Sequence, residues 1–308
     1  MRIVFMGTPD FAVPCLEKLI ETGENVVGVF TQTDKPVGRK QILTPSDVKV
    51  CALAHNISVF QPKTLRDGKA FDILSELKPD LIVVTAYGKI LPEEIINYPK
   101  YGCINIHASL LPQYRGAAPI QWSIINGDRV TGVTSMLMDV GLDTGDIILQ
   151  QETEIGENET AGELFDRLKL IGADVLEKTI KLIESGNLKR IKQDDKKASY
   201  VTQLDKSFSP VDFNKTASDI HNKVRGLNPW PVASFMFENK RFKLWKTVVA
   251  GKTDEEPGTV ISSGERLIVA CGANTAIELL VIQPEGKNRM NASDYLRGHT
   301  IPSGTKLG

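Results

Sequence analysis

The stretch CINIHASLLPQYRGAAPIQW, from Cys103 to Trp122, restricts the possible folds more than any other. It reads as a buried strand that opens into a loop carrying Pro112 and Gly116 and then enters a helix. In CINIH the residues Ile104 and Ile106 alternate with Asn105 and His107. A strand therefore sends the two isoleucines to one face and the amide with the imidazole to the other. A carboxamide steadies oxygen that is gaining negative charge, and an imidazole adds a proton or a second donor. That pairing suits acyl transfer. Plain hydrogen bonding at a strand end explains the same two residues equally well.

A second segment, MDVGLDTGDII from Met138 to Ile148, tips the balance. Asp143 stands between Gly141 and Gly145, which let the backbone turn tightly and carry a carboxylate into a crowded place. An aspartate reaching the far nitrogen of His107 would fix its tautomer and favour the imidazolium. The bland alternative is an Asp/Gly surface turn.

Strand, glycine turn and helix follow one another from the start, with Arg2 to Met6, then GTPDF, then apolar residues at helical spacing over Phe11 to Ile20. This opens a mononucleotide-type α/β unit. The G-x-G-x-x-G fingerprint is missing, since Gly7 is followed by Pro9 and Asp10, which disfavours a nicotinamide enzyme. Strands are expected at Asn25 to Phe30, Leu81 to Ala86 and Gly102 to His107, with helices at Ser46 to His55 and Ala70 to Leu77 between them. Crossovers of that kind build a largely parallel sheet whose ligands lie beyond the carboxyl ends of its strands. Thr131 to Met138 and Asp146 to Ile155 add two strands, and one long amphipathic helix runs from Thr160 to Gly186 behind a Thr160/Glu163 capping pattern.

The segment from Leu188 to Phe208 is charged and aperiodic, as a linker is. Short strands beyond it, from Ala233 to Ile282, are separated by Gly, Asn and Pro and suggest a small antiparallel barrel. With 308 residues there is length enough for two domains. The formal net charge of -1 hides an asymmetry. Residues 1–205 carry 23 Lys and Arg against 28 Asp and Glu, whereas residues 206–308 carry 14 against 10, so the final third is basic. A basic domain is the footprint a phosphate-rich partner calls for. The four cysteines form no C-x-x-C pair, which fits a reducing compartment and offers no zinc site. No extended apolar run opens the chain, so a cytoplasmic location is expected.

Asn105, His107, the SLLP of Ser109 to Pro112, the RGAAP that follows and the Asp143 loop resemble the formyltransferases that use 10-formyltetrahydrofolate. MGTPDFA at Met6 to Ala12, AYGKILP at Ala86 to Pro92 and RGLNPWP at Arg225 to Pro231 narrow the resemblance to the branch acting on methionyl-tRNA. It implies a Rossmann-like formyltransferase domain over 1–188, a linker over 189–207 and an OB-like β-barrel over 208–308. The cosubstrate would be 10-formyltetrahydrofolate, the partner initiator methionyl-tRNA, and no metal is required. A monomer is expected.

On this reading Asn105, His107 and Asp143 are catalytic, and Ser109, Leu110, Leu111 and Pro112 touch the folate, with Tyr87 and Gly88 lining its ring. AYGKILP also reads as a strand-to-helix corner packed by Tyr87. Arg115 is expected to be structural, bridging loop carbonyls, rather than to face an anion. In the resembled family the loop equivalent to Thr31 to Pro45 enters the tRNA acceptor region, which brings in Arg39 and Lys40. This chain has Lys40 and Gln41 where family members often have Gly and Lys. Lys206, Arg241, Lys243 and Lys246 are the candidate phosphate contacts of the basic domain. Two rivals stand beside this reading. One is the same chemistry on a small amine, such as a nucleotide-linked amino sugar or glycinamide ribonucleotide. The other is an RNA-binding protein with a dead enzyme fold.

Overall fold

The structure, a computed structural model, describes residues 1–38 and 40–308. In chain order its first elements are β1 (Arg2–Gly7), α1 (Val13–Glu21), β2 (Asn25–Phe30), β3 (Lys35–Val37), β4 (Ile42–Thr44), α2 (Asp47–Ala54) and β5 (Val59–Phe60). Then come α3 (Lys69–Leu77), β6 (Leu81–Thr85), α4 (Glu93–Ile96), β7 (Cys103–His107), β8 (Arg115–Gly116), α5 (Pro119–Ile125), β9 (Val130–Leu137), β10 (Ile147–Glu154) and α6 (Ala161–Glu184). The remainder is β11 (Tyr200–Val201), α7 (Ala217–Gly226), β12 (Ala233–Phe237), β13 (Lys240–Lys252), β14 (Val260–Ser262), β15 (Leu267–Cys271), β16 (Thr275–Pro284), β17 (Met290–Asn291) and α8 (Ala292–Leu296). These elements fall into two compact units.

The first unit comprises Met1–Gly116, Val130–Glu154 and Phe165–Tyr200. Its sheet has the order β10-β9-β7-β6-β1-β2-β5. Strands β7, β6, β1, β2 and β5 are mutually parallel, while β9 runs antiparallel to β7 and β10 antiparallel to β9. Sequence periodicity finds a strand without its direction, so the reversal at β9 is a feature of the fold alone. Val4, Met6, Phe30, Ile82, Val84 and Leu74 pack together on one side of the sheet. Each such side chain contributes about 1.5–3 kcal/mol when fully withdrawn from water.

Helix α6 covers the sheet behind Ile106. The approach is close at Gly172, where a Cβ would lie 3.3 Å from Cγ2 of Ile106. Ser135, opposite Ile106 across the β7–β9 pair, meets the same helix through a 2.7 Å hydrogen bond with the Thr179 hydroxyl. The capping pattern expected for α6 forms reciprocally: the Thr160 amide donates to Glu163 Oε2 at 2.8 Å, and the Glu163 amide donates to the Thr160 hydroxyl at 3.3 Å. Those bonds hold the Glu163 carboxyl below the ordinary value. The segment expected as an open loop after β2 instead carries a small hairpin, β3 with β4, whose Val37, Ile42 and Leu43 are exposed.

The second unit comprises Ala117–Arg129, Ile155–Leu164 and Val201–Gly308. Its antiparallel sheet has the order β12-β13-β16-β15-β14, with β17 added to β16. Alternate residues Phe235, Phe242, Leu244, Leu267, Val269, Ile277 and Leu279 point into one core, joined by Ile220 and Val224 of α7. Helix α5 belongs here, with Trp122 and Ile125 packed on that core. Register shifts in β13 at Leu244/Lys246 and Lys246/Thr247 mark bulges, which bend a strand and increase its twist. Among the described residues no helix is long and apolar enough to cross a membrane.

Candidate active site

Strand β7 delivers its polar pair as the alternation requires. Ile104 and Ile106 are buried, Asn105 is half-buried, and His107 is 7% exposed at the carboxyl end of the strand. The His107 Nε2 lies 3.0 Å from the carbonyl oxygen of Tyr114. A carbonyl only accepts, so Nε2 carries the proton and Nδ1 is the nitrogen turned toward the site. The tautomer is thus set by the Tyr114 backbone, on the opposite side of the ring from Asp143. Asp143 Oδ2 sits 3.7 Å from Nδ1, within electrostatic reach and beyond hydrogen-bond length.

Asp143 itself occupies a left-handed backbone conformation, φ 54°, which short polar residues tolerate better than others do. Its Oδ2 accepts from the Gly116 amide at 2.8 Å, and its Oδ1 faces the Asn105 amide nitrogen at 3.4 Å. Gly145 allows the turn to close, because a Cβ there would fall 1.7 Å from the Leu137 carbonyl oxygen. Carboxamide, imidazole and carboxylate, separated by up to 38 residues, therefore converge. That constellation brings an amide donor, an imidazole Nδ1 that donates only when the ring is protonated, and a carboxylate acceptor to one place.

The loop after β7 is built on a single hydroxyl. Thr134 stands opposite His107 across the antiparallel pair. Its Oγ1 donates to the Ser109 carbonyl at 2.6 Å and accepts from the Leu111 amide at 3.1 Å and the Gln150 side chain at 2.9 Å. Gln150 also donates to the Leu111 carbonyl at 2.9 Å. Leu111 packs with Met136 and Ile147 beneath the loop, whereas Leu110 and Pro112 remain half-buried and able to meet a flat ring. The Ser109 hydroxyl donates to the Gln113 carbonyl at 2.7 Å. Burial pushes the Cys103 thiol well above its usual range. Neither side chain is poised as a nucleophile.

Gly88 is exposed at φ 76°, with the Gln32 amide donating to the carbonyls of Tyr87 at 3.0 Å and Gly88 at 3.4 Å. Tyr87 is 1% exposed and lies within the core of the sheet, where burial pushes its phenol up to about 12. Its hydroxyl has no hydrogen-bond partner among the described residues. Tyr87 thus packs the strand-to-helix corner, and the backbone at Gly88 is what the bend presents.

Arg115 is structural, but its partners are side chains rather than loop carbonyls. Buried to 1% exposure, it donates from Nε and Nη2 to Gln193 Oε1 at 3.1 and 2.9 Å, to Tyr200 at 2.7 Å and to Asp195 at 2.8 Å. Gln193, which the sequence places in a charged linker, is 6% exposed. Its Nε2 donates to the carbonyls of Asp143 at 2.8 Å and Gly145 at 2.7 Å. A lone amide in a charged, aperiodic stretch carries no local signal of such a role. Among the described residues no group of three or more His, Cys, Asp or Glu is placed to hold a metal ion.

The candidate phosphate contacts fall in both units. Arg39 lies outside the described residues, and Lys40 is exposed in the β3–β4 turn. Lys206 is exposed in a 3-10 turn of the second unit. Arg241 and Lys243 project from β13 in alternation with the buried Phe242 and Leu244, and the bulge that follows returns Lys246 to the exposed side while burying Thr247. Trp245 sits in that bulge under the Arg289 guanidinium, 4.6 Å from its ring centroid. Arg289 is a cation of the same neighbourhood that strand alternation does not reveal.

Residues 1–180 match the formyl transferase family, and residues 203–300 match the formyl transferase C-terminal domain. Methionyl-tRNA formyltransferase of Alkaliphilus oremlandii is 52% identical over 309 residues, and that of Clostridioides difficile 49%, each covering 100% of both chains. Among solved structures, a sugar 3N-formyl transferase crystallised with dTDP and 5-N-formyl-THF superposes with a TM-score of 0.70 at 24% identity, covering 94% of this chain and 99% of its own. An N-formyltransferase from Helicobacter canadensis gives 0.70 at 23% identity, covering 91% and 98%. At those identities the likeness extends to the fold.

Proposed function

Since the chain belongs to the formyl transferase family, with methionyl-tRNA formyltransferases about half identical to it from end to end, we infer that it formylates the initiator. It transfers a formyl group from 10-formyltetrahydrofolate to the free amino group of methionyl-initiator tRNA, giving N-formylmethionyl-tRNA in the cytoplasm, where translation begins.

The observation that carries the chemistry is the convergence of Asn105, His107 and Asp143 beside the loop of Ser109 to Pro112. The folate cosubstrate supplies the formyl carbon, and the half-buried Leu110 and Pro112 with the Gly88 backbone fit its flat ring. Asn105 has two N–H donors and, among the described residues, one long contact, so it has capacity to donate to the formyl oxygen as charge develops there. His107, with Nε2 fixed on Tyr114, offers Nδ1–H to the same region when protonated, and the Asp143 carboxylate balances that charge. Asp143 also accepts the proton that the attacking amine sheds, and collapse of the tetrahedral adduct breaks the bond between the formyl carbon and N10, releasing tetrahydrofolate as N10 takes up a proton. The amine is already a competent nucleophile, so no covalent enzyme intermediate is required.

The basic face of β13 and the β3–β4 turn supply cations for the tRNA backbone. An acceptor comparison tests the assignment: charged initiator tRNA, charged elongator tRNA and small amino-sugar nucleotides, each with radiolabelled formyl donor. Label is expected on initiator methionine alone. Comparable kcat/KM with a small amine would refute the tRNA assignment.

A further inference from the structure

Gln193 uses its whole hydrogen-bonding capacity to tie two places together. Both N–H groups of its amide donate to carbonyls of the catalytic loop, Asp143 and Gly145, at 2.8 and 2.7 Å. Its oxygen accepts twice from Arg115, at 3.1 and 2.9 Å. Arginine only donates and a carbonyl only accepts, so the amide has a single permitted orientation. Arg115 in turn is anchored by Asp195 and Tyr200. The residue after it, Gly116, donates its amide to the Asp143 carboxylate at 2.8 Å. Asp143 is thus gripped at its main chain through Gln193 and at its side chain through Gly116.

We propose that Gln193, oriented by Arg115, is a positioning residue that sets where the Asp143 carboxylate stands relative to His107 and the incoming amine. It touches no substrate. It acts through the main chain of the turn, where its amide holds the carbonyls of Asp143, at φ 54°, and Gly145. This rests on the catalytic role of Asp143 proposed above.

Gln193→Glu separates the two halves of the contact. A carboxylate of nearly the same shape keeps Arg115 paired, yet turns an acceptor toward the carbonyls of Asp143 and Gly145 in place of a donor. The expected result is a kcat lowered by roughly 10- to 100-fold, since small misplacements of a catalytic group have effects of that size. KM for the folate donor and for charged tRNA should stay within about threefold, and the variant should still melt cooperatively, at a lowered temperature because two carbonyls lose their donors. In the double variant Gln193→Glu/Asp143→Asn, turnover should be no lower than in Asp143→Asn alone, because the two act through one group. Arg115→Lys, which frees the amide to rotate, should give the same loss in kcat alone, and serves if the first variant does not fold.

Wild-type kcat in folded Gln193→Glu, or losses that multiply in the double variant, would overturn the proposal. So would a rise in KM with kcat kept. Wild-type turnover in Asp143→Asn would instead refute the catalytic reading itself, so the two failures are distinguishable.

Discussion

Replacing Asp143 by asparagine changes the site by one proton-bearing nitrogen and very little in shape. The carboxylate faces His107 Nδ1 at 3.7 Å, both side chains being mostly shielded from water, at 7% and 13% exposure. With an effective dielectric near 20, opposite charges at that separation attract by about 4 kcal/mol. A tenfold change in rate corresponds to about 1.4 kcal/mol, so losing that attraction slows any step that places positive charge on the ring by about 10³-fold. The acceptor count agrees in direction. Gly116 N and Asn105 Nδ2 both donate to Asp143, and an asparagine side chain offers one oxygen where the carboxylate has two. Single-turnover formyl transfer at saturating charged tRNA and folate is the assay, with thermal melting by circular dichroism to confirm the fold. Turnover within tenfold of wild type, in a variant that melts normally, would show that the carboxylate is not part of the chemistry.

The other expectations concern the same site and the second unit. His107→Ala should lower kcat by about 10²- to 10³-fold with the fold intact, as loss of a proton-transfer group does; a smaller effect than tenfold would remove the imidazole from the reaction. Gly145→Ala forces a Cβ to 1.7 Å from the Leu137 carbonyl and should cost about 2 kcal/mol or more, read as a lowered melting temperature, whereas an unchanged one would contradict the tight closure of that turn. Combined Arg241→Ala, Lys243→Ala and Lys246→Ala should raise KM for tRNA and make the salt dependence less steep, by about 0.9 in the log-log slope for each phosphate left unneutralised; an unaltered slope would dismiss β13 as an RNA-binding strand. Burial holds the His221 imidazole below its ordinary 6.5, with Nδ1 on Thr247 and Nε2 on the Glu157 carbonyl. Its neutral form belongs to the folded state, so its contribution to stability is complete above about pH 6.5 and falls away as the pH drops below it. Urea midpoints measured from about pH 7.5 to 5 should therefore decline less in His221→Gln than in wild type, and parallel declines would exclude His221 as a source.

What local rules encode was legible in the residues. The two-residue period of CINIH puts Asn105 and His107 on one face, and Thr160 with Glu163 announces the start of α6, because strand alternation and capping depend on neighbours within a turn or two. The strands of the second unit are readable for the same reason. Beyond reach were features decided by distant partners. Gln193 meets the Asp143 loop across 50 residues and Arg115 across 78, and nothing near it in the chain distinguishes it from the lysines around it. The antiparallel direction of β9 depends on which neighbour it joins. Tyr87 sits in the core rather than on an open wall because the chain reverses at Gly88, and a buried aromatic at a corner looks in sequence like an aromatic lining a pocket.

Thr134 has one proton and two lone pairs, and Ser109, Leu111 and Gln150 engage all three. The wall it supports is consequently rigid before any cosubstrate arrives, with little freedom left to surrender on association. If this loop meets the folate as proposed, adaptation to the donor falls to the ring of the cosubstrate itself. Swapping Thr134 for valine would leave the outline of the wall in place and its two ends unfastened.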